Sequence, residues 1–302
     1  MYNEFLNELK EKINDSWIHE NEPMKQHTTF RVGGPADVLV TPDMESLPEV
    51  IALCKKHNLP YHIVGNGSNL LVGDKGIRGV VIAVTNRMGD ILCDGESITA
   101  GAGCTLGQIA VLAAGNGLAG FEFAAGIPGT LGGAVVMNAG AYGGEMKDVI
   151  TSVLVLDADG NRKELAVEEL DLGYRHSCIP EKGYVVLSAK LKLERGDVSR
   201  IRAKMAELRE QRVTKQPLEY PSAGSTFKRP EGYFAGKLIM EAGLRGYQVG
   251  GAQVAEKHCG FVINKDNATA ADILQLMQDV SAKVEKQFGV KLEPEVKMIG
   301  EF

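Results

Sequence analysis

Cysteine is scarce in this sequence and is not arranged in pairs. The 302 residues include five cysteines and no CxxC motif, which excludes a zinc ribbon and provides no disulfide framework. The six histidines are not placed at metal-ligand spacing with other ligand types, so we expect no metal. The first twenty residues contain no apolar signal-peptide core, and secretion is therefore not expected. Together these absences predict a protein of the reducing cytoplasm.

The sequence also has no excess of positive charge. Its 33 Lys and Arg are outnumbered by 39 Asp and Glu, giving a formal net charge of −6, which excludes a general nucleic-acid-binding protein. Basic residues are concentrated between Arg195 and Arg229, where nine of them accompany four acidic residues. Such a stretch fits a small anionic substrate, and it also fits a solvated helix face.

Charge of either sign is missing from one long stretch. Residues 123–144, the charge-free segment, contain no Lys, Arg, Asp or Glu across 22 residues, and seven of these residues are glycine. The length matches a membrane span, but Pro128, Thr130, Asn138 and the glycines make a lipid-facing helix untenable. We expect no membrane span. The composition predicts loops whose peptide N–H groups approach an anionic ligand, since glycine permits positive φ and close backbone contact.

A second segment of the same character lies upstream. The sequence GNGSNLLVGD at 65–74, the first glycine loop, follows an apolar strand predicted at 61–64. A strand, a glycine turn and then Ser68 and Asn69 are typical of phosphate binding, although the spacing is neither the Walker motif nor GxGxxG. Either segment alone is equally explained by a tight turn that binds nothing. The presence of both indicates a large diphosphate cofactor.

Hydrophobic patterning predicts a mixed α/β chain of several domains. The opening residues predict an amphipathic helix, and later helices are predicted at 46–57, at 105–114, from Val198 onward, and between a Thr269–Asp272 capping box and Gly289. Strands are predicted at 36–40, 61–64, 80–84, 91–93, 97–100, 149–157 and 184–193. We expect an N-terminal helix (1–25), a central α+β domain (26–196, with subdomains of about 26–90 and 91–196) and a C-terminal α/β domain (197–302).

Five ordered motifs carry a resemblance to a known family. They are GNGSNLLVGD, GIPGTLGGAVVMNAGAYGGE from 126, YRHS at 174–177, GSTFKRP at 224–230 and LEPEVKMIG at 292–300. In this order they resemble the UDP-N-acetylenolpyruvoylglucosamine reductase family, in its shorter type II form. That form lacks the extra loop whose tyrosine covers the substrate in type I members.

The resemblance implies a fold, cofactors and a reaction. The implied fold is the FAD-binding fold of the vanillyl-alcohol-oxidase (PCMH) type in two α+β subdomains, followed by a C-terminal substrate-binding domain. The implied reaction uses NADPH to reduce FAD, and the flavin then passes hydride to the enolpyruvyl ether of a UDP-sugar during cytoplasmic peptidoglycan precursor synthesis. We expect non-covalent FAD, because the first glycine loop contains no histidine that could form a covalent link. We also expect a monomer. The implied FAD positions are Gly65, Asn66, Gly67, Ser68, Asn69, Gly126, Ile127, Pro128, Gly129, Thr130, Gly132, Gly133, Asn138, Ala139 and Gly140.

Three catalytic residues follow from the same resemblance. Arg175 would bind the substrate carboxylate through its permanently charged guanidinium, and Ser225 would protonate C2 of the enolpyruvyl group. Glu295 would act as a donor toward the developing negative charge, which requires that it carry a proton. Without the motifs, Ser225 is interpreted as a turn residue and Glu295 as a surface carboxylate paired with a lysine at 291 or 297. The implied substrate-binding residues are Tyr174, Lys215 and Lys228.

Two other functions fit parts of the sequence. An FAD oxidase of the same fold would share both glycine segments but would not need Ser225 and Glu295 together. A non-catalytic regulator that binds flavin or a nucleotide-sugar would share the binding residues without the chemistry.

Overall fold

The structure is a computed structural model that describes residues 2–302. Within those residues the chain forms a mixture of α-helices and β-strands, as the hydrophobic pattern predicts. The α-helices are α1 (Tyr2–Lys12), α2 (Leu47–Lys56), α3 (Leu106–Gly115), α4 (Leu131–Val136), α5 (Val198–Lys215), α6 (Ala235–Glu241) and α7 (Ala270–Phe288). The strands are β1 (Ile18–Pro23), β2 (Pro35–Val40), β3 (Tyr61–Val64), β4 (Leu70–Val72), β5 (Ile77–Ala83), β6 (Ile91–Asp94), β7 (Ser97–Gly101), β8 (Leu118–Ala119), β9 (Gly140–Ala141), β10 (Gly144–Glu145), β11 (Ile150–Leu156), β12 (Arg162–Ala166), β13 (Val185–Lys192), β14 (Glu194–Arg195), β15 (Ser222–Ser225), β16 (Gln248–Val249), β17 (Ala252–Val254), β18 (Phe261–Asn264) and β19 (Lys297–Ile299).

The chain divides into two compact units. Unit 1 comprises the residues up to His19 together with 39–66 and 80–212, and unit 2 comprises 20–38, 67–79 and 213–302. Each unit is therefore assembled from segments far apart in the sequence. Strands β1, β2, β5 and β3 form a sheet in that order.

The largest sheet of unit 1 is antiparallel, with strand order β12-β11-β13-β7-β6. In its central strand, β13, buried residues alternate with exposed lysines toward the carboxyl end, which is the period of a strand with one covered face. Elsewhere in unit 1, β3 pairs in parallel with β5. Residues 80–83 of β5 are all buried, as expected for a strand that is covered on both faces.

The core of unit 2 is organised around α7. The helix buries Ile273, Leu276, Met277, Val280 and Val284, which lie on one face at helical spacing. This face packs in one hydrophobic cluster with residues of α6 and of the antiparallel sheet β15-β18-β17-β16. Both predicted ends are confirmed, because the capping box at Thr269 is formed and Gly289 ends the helix with a φ of 68°.

Asp74, the last residue of the first glycine loop, holds the start of α7. Its two carboxylate oxygens accept hydrogen bonds from the backbone N–H groups of Ala270 and Ala271, at 2.8 and 2.9 Å. These groups belong to the first turn, where backbone donors have no partner within the helix, and a negative charge there also favours the helix dipole. A residue of the first glycine loop thus stabilises a helix almost two hundred positions away.

Replacement of Asp74 by alanine is expected to destabilise unit 2. The loss should be about 1–2 kcal/mol, the usual cost of removing a helix cap, and Asp74→Asn should lose less because one acceptor remains. Urea denaturation followed by circular dichroism measures the change. Asp266→Ala is the matched control, since Asp266 is an exposed carboxylate of the same unit. Equal unfolding midpoints for the Asp74→Ala and Asp266→Ala variants would contradict the capping role.

Candidate active site

The two glycine segments meet within unit 1. A Cβ atom added at Gly65 would overlap the Thr130 hydroxyl, and the Asn66 side-chain amide donates to the Pro128 carbonyl at 3.3 Å. The start of the first glycine loop therefore lies directly against the centre of the charge-free segment. Their contact forms one surface of glycine, small hydroxyl and amide groups that carries no charge of its own.

Several peptide groups of the charge-free segment are used inside the protein. The N–H groups of Leu131 and Gly132 donate to the carbonyls of Cys104 and Ala102, at 2.8 and 2.9 Å. Gly133 donates to the Thr130 hydroxyl, which caps α4. A Cβ at Gly132 would lie 3.0 Å from the Ala102 Cβ. Gly132 thus permits close packing of α4, and the N–H groups of Gly132 and Gly133 donate within the protein, whereas the sequence alone suggested that they face a ligand.

Gly67 and its surroundings in unit 2 fit a bound dinucleotide. Gly67 has a φ of 61°, and a Cβ there would overlap the carbonyl of His27, so only glycine is accommodated. Next to it, the Thr29 N–H donates to the Gly67 carbonyl at 3.3 Å. The Thr29 hydroxyl oxygen is buried and has no hydrogen-bond partner within residues 2–302. A buried orphan hydroxyl beside a glycine turn is what a missing polar ligand would leave, and the sequence analysis did not single out Thr29.

Arg175 occupies a strained position in a tight turn of unit 1. Gly173 and His176 exchange backbone hydrogen bonds of 3.2 and 3.3 Å, which leaves Tyr174 and Arg175 as the two turn residues. Arg175 has a φ of 54°, a conformation that costs a residue other than glycine on the order of 1 kcal/mol. Its guanidinium donates to the Gly140 carbonyl at 3.3 Å. Strain retained at an arginine is typical of a functional site.

Asn138 supports this turn from the charge-free segment. It is fully buried, and its side-chain amide donates to the Gly173 carbonyl at 3.0 Å and to a Glu145 carboxylate oxygen at 2.8 Å. Its side-chain oxygen accepts from the Lys147 N–H at 2.9 Å. These three hydrogen bonds are all within the protein. Asn138 therefore positions the turn that carries Arg175.

Ser225 and Glu295 come together in unit 2. Ser225 ends β15 opposite Phe261, after a register shift that starts at Ser222, and an irregularity of this kind re-aims a side chain. The following residue, Thr226, accepts the N–H of Glu295 through its carbonyl at 2.9 Å. Ser225 is exposed, whereas Thr226 is buried and its hydroxyl accepts from the Val262 N–H at 2.9 Å. Of the two neighbouring hydroxyls, only that of Ser225 is open to a ligand.

Glu295 is buried, which contradicts its interpretation as a surface carboxylate. It is only 9% exposed, and its carbonyl accepts from the side-chain amide of Asn69 at 3.0 Å. The first glycine loop therefore also holds the backbone that carries Glu295. Lys228 lies nearby, but its ammonium is 3.2 Å from Glu293, so its charge is already partly compensated.

The remaining predicted binding residues lie at the surface. Tyr174 is 51% exposed, and its ring lies 5.0 Å from the Arg175 guanidinium carbon. Lys215 is exposed at the last position of α5.

One further residue of that helix, Arg212, contacts the charge-free segment in unit 1. Nothing in the basic pattern of the sequence distinguishes Arg212 from its solvated neighbours.

His258 packs close to the strand segment that carries Ser225. Its ring meets Phe261 edge to face at 5.0 Å, and its Nδ1 atom accepts from the Gly260 N–H at 3.2 Å. Burial lowers the pKa of this imidazole. The ring is therefore neutral in the folded protein under conditions where an exposed histidine takes up a proton.

The stability of unit 2 is expected to fall in mild acid because of His258. In the unfolded chain His258 takes up a proton below about pH 6.5, whereas in the folded chain it does so only at a lower pH. Its contribution to the free energy of unfolding is therefore fully present above pH 6.5 and is lost as pH falls through the lower folded pKa. Denaturation midpoints at pH 7.5 and 5.5 measure the loss. His258→Asn should show a smaller difference between the two pH values, and an unchanged difference would contradict this cause.

No group of three or more potential ligand side chains within residues 2–302 is arranged to hold a metal ion. Among the helices of the same residues, none combines the length and the apolar character needed to cross a membrane.

Comparisons with known proteins agree with this geometry. Residues 35–166 match the family model described as an FAD binding domain, and residues 216–299 match the model of the C-terminal domain of UDP-N-acetylenolpyruvoylglucosamine reductase. The UDP-N-acetylenolpyruvoylglucosamine reductase of Agathobacter rectalis is 58% identical, with 99% of each chain covered. That of Caldanaerobacter subterraneus is 52% identical, with 98% of each chain covered.

A solved structure extends the comparison to the fold. The crystal structure of the reductase from Thermus caldophilus superposes with a TM-score of 0.80 at 37% identity, and the match covers 93% of this chain and 98% of that one. The resemblance carried by the five sequence motifs is confirmed, and so is the predicted FAD-binding fold with its additional C-terminal domain. This chain belongs to the UDP-N-acetylenolpyruvoylglucosamine reductase family.

Proposed function

We propose that this protein is an FAD-containing oxidoreductase that uses NADPH to reduce UDP-N-acetyl-enolpyruvoylglucosamine to UDP-N-acetylmuramate. The observation that carries the proposal is the similarity of the whole chain to a UDP-N-acetylenolpyruvoylglucosamine reductase, with 58% identity and 99% of this chain covered. The packing of the two glycine segments against each other supports it, since they form a neutral surface of small residues suited to a dinucleotide.

The proposed FAD-binding residues follow from these two segments. Gly65 and Gly67 let the loop pack against Thr130 and His27, since a Cβ at either position would overlap them. Asn66, Ser68 and the Thr29 hydroxyl would supply neutral polar groups to the cofactor. Within the charge-free segment, the proposed contacts are residues 126–130, with 132–133 and 138–140 shaping the loop from behind. Asn69 contributes mainly by holding the backbone of Glu295. When bound, FAD would take hydride from NADPH and deliver it to the unsaturated substrate.

Three side chains are proposed to act on the substrate. Arg175 would bind the carboxylate, since its planar guanidinium presents paired donors and remains charged. The Ser225 hydroxyl, which is exposed and free of the backbone contact made by Thr226, would give its proton to C2. Glu295, held in a buried position by Asn69 and Thr226, would donate a hydrogen bond to the developing charge.

The UDP portion of the substrate is assigned to the C-terminal part of the chain. Lys215 at the end of α5 would meet the diphosphate, and Lys228 is a second proposed contact from this part. Tyr174, from the part that binds FAD, is a third. We propose the functional division suggested by the motifs, with 26–196 binding FAD and 197–302 binding substrate. We also propose a monomer that acts in the cytoplasm, in keeping with five cysteines that are all free thiols.

Anaerobic reduction tests the function in two steps. NADPH is added to the purified yellow protein while the flavin absorbance near ~450 nm is followed, and the enolpyruvyl UDP-sugar is added afterwards. Loss of the band and its return on addition of substrate are the expected results. Bound flavin that NADPH does not reduce would favour a non-catalytic regulator. Rapid oxygen consumption with simple alcohols would instead favour an oxidase of the same fold.

A further inference from the structure

The turn that carries Arg175 is attached to the charge-free segment on both of its sides. Before the turn, the Asn138 side-chain amide donates to the Gly173 carbonyl at 3.0 Å. After the turn, the Ser177 hydroxyl donates to the Val136 carbonyl at 2.7 Å. All of these residues belong to unit 1. One short stretch of the charge-free segment therefore holds the chain on either side of Arg175.

Ser177 makes its contact from a buried position. The residue is only 2% exposed, and a buried hydroxyl normally has a hydrogen-bond partner. Its partner is Val136, the last residue of α4, whose carbonyl has no acceptor role within the helix because it lies in the final turn. The hydrogen bond thus caps α4, and it also fixes the distance between the charge-free segment and the chain that follows Arg175.

The strained backbone of Arg175 depends on such attachments. Its φ of 54° is a conformation that persists only where the surrounding structure enforces it. Within the turn itself, the two backbone hydrogen bonds between Gly173 and His176 are 3.2 and 3.3 Å long, at the upper end of the usual range. The Arg175 guanidinium adds a third contact to the segment, donating to the Gly140 carbonyl at 3.3 Å. Positions 136, 138 and 140 of the segment therefore each hold one part of the turn.

On the basis of the proposed function, we propose that Ser177 is a positioning residue for substrate binding, whose hydroxyl holds the Arg175 turn against the charge-free segment and so places the guanidinium for the substrate carboxylate. The same segment supplies proposed contacts to FAD. Its hydrogen bonds to the turn therefore set the position of the carboxylate-binding group relative to the cofactor. Hydride transfer is sensitive to this position, since a displacement of about 1 Å caused far from the reacting atoms can cost ~100-fold in rate.

The test follows the two half-reactions of the holoenzyme separately. Ser177→Ala should slow reoxidation of the reduced flavin by the enolpyruvyl UDP-sugar roughly 10- to 100-fold, whereas reduction by NADPH, which needs no substrate carboxylate, should stay within about twofold of the wild type. Calorimetry should show about tenfold weaker binding of UDP-N-acetylmuramate, which carries the same carboxylate. Circular dichroism checks that the variant is folded.

Cys178→Ala is the matched control. Cys178 is the buried neighbour of Ser177, and its thiol donates to the Glu169 carbonyl at 3.3 Å, outside the charge-free segment. This variant should keep the reoxidation rate and the affinity for UDP-N-acetylmuramate. An equal loss of reoxidation rate in Ser177→Ala and Cys178→Ala would overturn the inference, because any disturbance of the local packing would then suffice.

A double-mutant cycle distinguishes positioning of Arg175 from packing alone. In an Arg175→Ala background the carboxylate-binding group is already absent, so adding Ser177→Ala should change the reoxidation rate by less than about twofold. The same fold-loss with and without Arg175 would contradict a role that acts through it, and so would wild-type rates in Ser177→Ala. Ser177→Cys, which keeps a weak donor, takes the place of the alanine variant in the cycle if that variant does not fold. Failure of the wild-type flavin to be reoxidised by the enolpyruvyl UDP-sugar would overturn the proposed function as well.

Discussion

Replacement of Ser225 by alanine is expected to leave the bound flavin reducible by NADPH but to block its reoxidation by the enolpyruvyl UDP-sugar. The first step does not need a proton at C2 of the substrate, whereas the second does. A positioned general acid contributes roughly 10²- to 10⁴-fold to such a step, and the rate of return of flavin absorbance should fall by that factor. Stopped-flow spectroscopy under anaerobic conditions separates the two rates.

The structure provides a matched control for this change. Ser222→Ala removes a hydroxyl from the first position of β15, whereas Ser225→Ala removes one from the last position of the same strand, after the register shift. The Ser222 variant should keep both rates close to those of the wild type. Loss of both rates in the Ser225 variant would contradict the assignment, because a missing proton donor cannot explain slow reduction by NADPH.

The second large effect is expected at Glu295. Replacement by alanine should slow reoxidation of the flavin by the substrate by about 10²- to 10³-fold, the cost of removing one donor to a developing negative charge. Glu295→Gln should retain more of the rate, because its amide still donates a hydrogen bond. The backbone at this position is held by Asn69 and Thr226, so either substitution changes the side chain and leaves these backbone hydrogen bonds in place.

Glu293→Gln is the matched control for Glu295. Glu293 lies two residues away, is largely exposed and pairs with Lys228 at 3.2 Å, and a surface ion pair of this kind contributes little to stability. Its substitution should leave the rates of both half-reactions nearly unchanged. An equally large loss of the reoxidation rate in Glu295→Gln and Glu295→Ala would contradict a role as hydrogen-bond donor. It would indicate that the carboxylate itself is required.

Long and strongly periodic elements could be predicted from the sequence. Helix α7 lies where the capping box and apolar spacing predict it, and the long strands β11 and β13 differ from their predicted ranges by only a residue at each end. The pattern did not predict β1 or the sheet formed by β15 to β18. Those strands have two to six residues each, too few for a period of two to stand out.

The sequence also left neighbouring residues of the same type indistinguishable. In GSTF, Ser225 and Thr226 both carry hydroxyls, yet the strand pairing buries Thr226 and leaves Ser225 open. Along α5, the charge pattern treats Arg209 and Arg212 alike, yet only Arg212 meets Gly126. A side chain's surroundings depend on residues far away in the chain, and local spacing contains no information about them.

By itself, the sequence determined the chemical character of this protein: two glycine-rich segments, one of them without charge, their order along the chain, and the motifs that place it in its family. Short-range rules suffice for these features, because glycine's lack of a Cβ, helix capping and hydrophobic period act over a few residues. Only the tertiary structure decided that Gly65 meets Thr130, that Asp74 caps α7, that Glu295 is buried beside Thr226, and that a partly buried guanidinium from α5 covers Gly126. Each of these contacts joins residues more than sixty positions apart, and packing of the whole chain sets the distance between them.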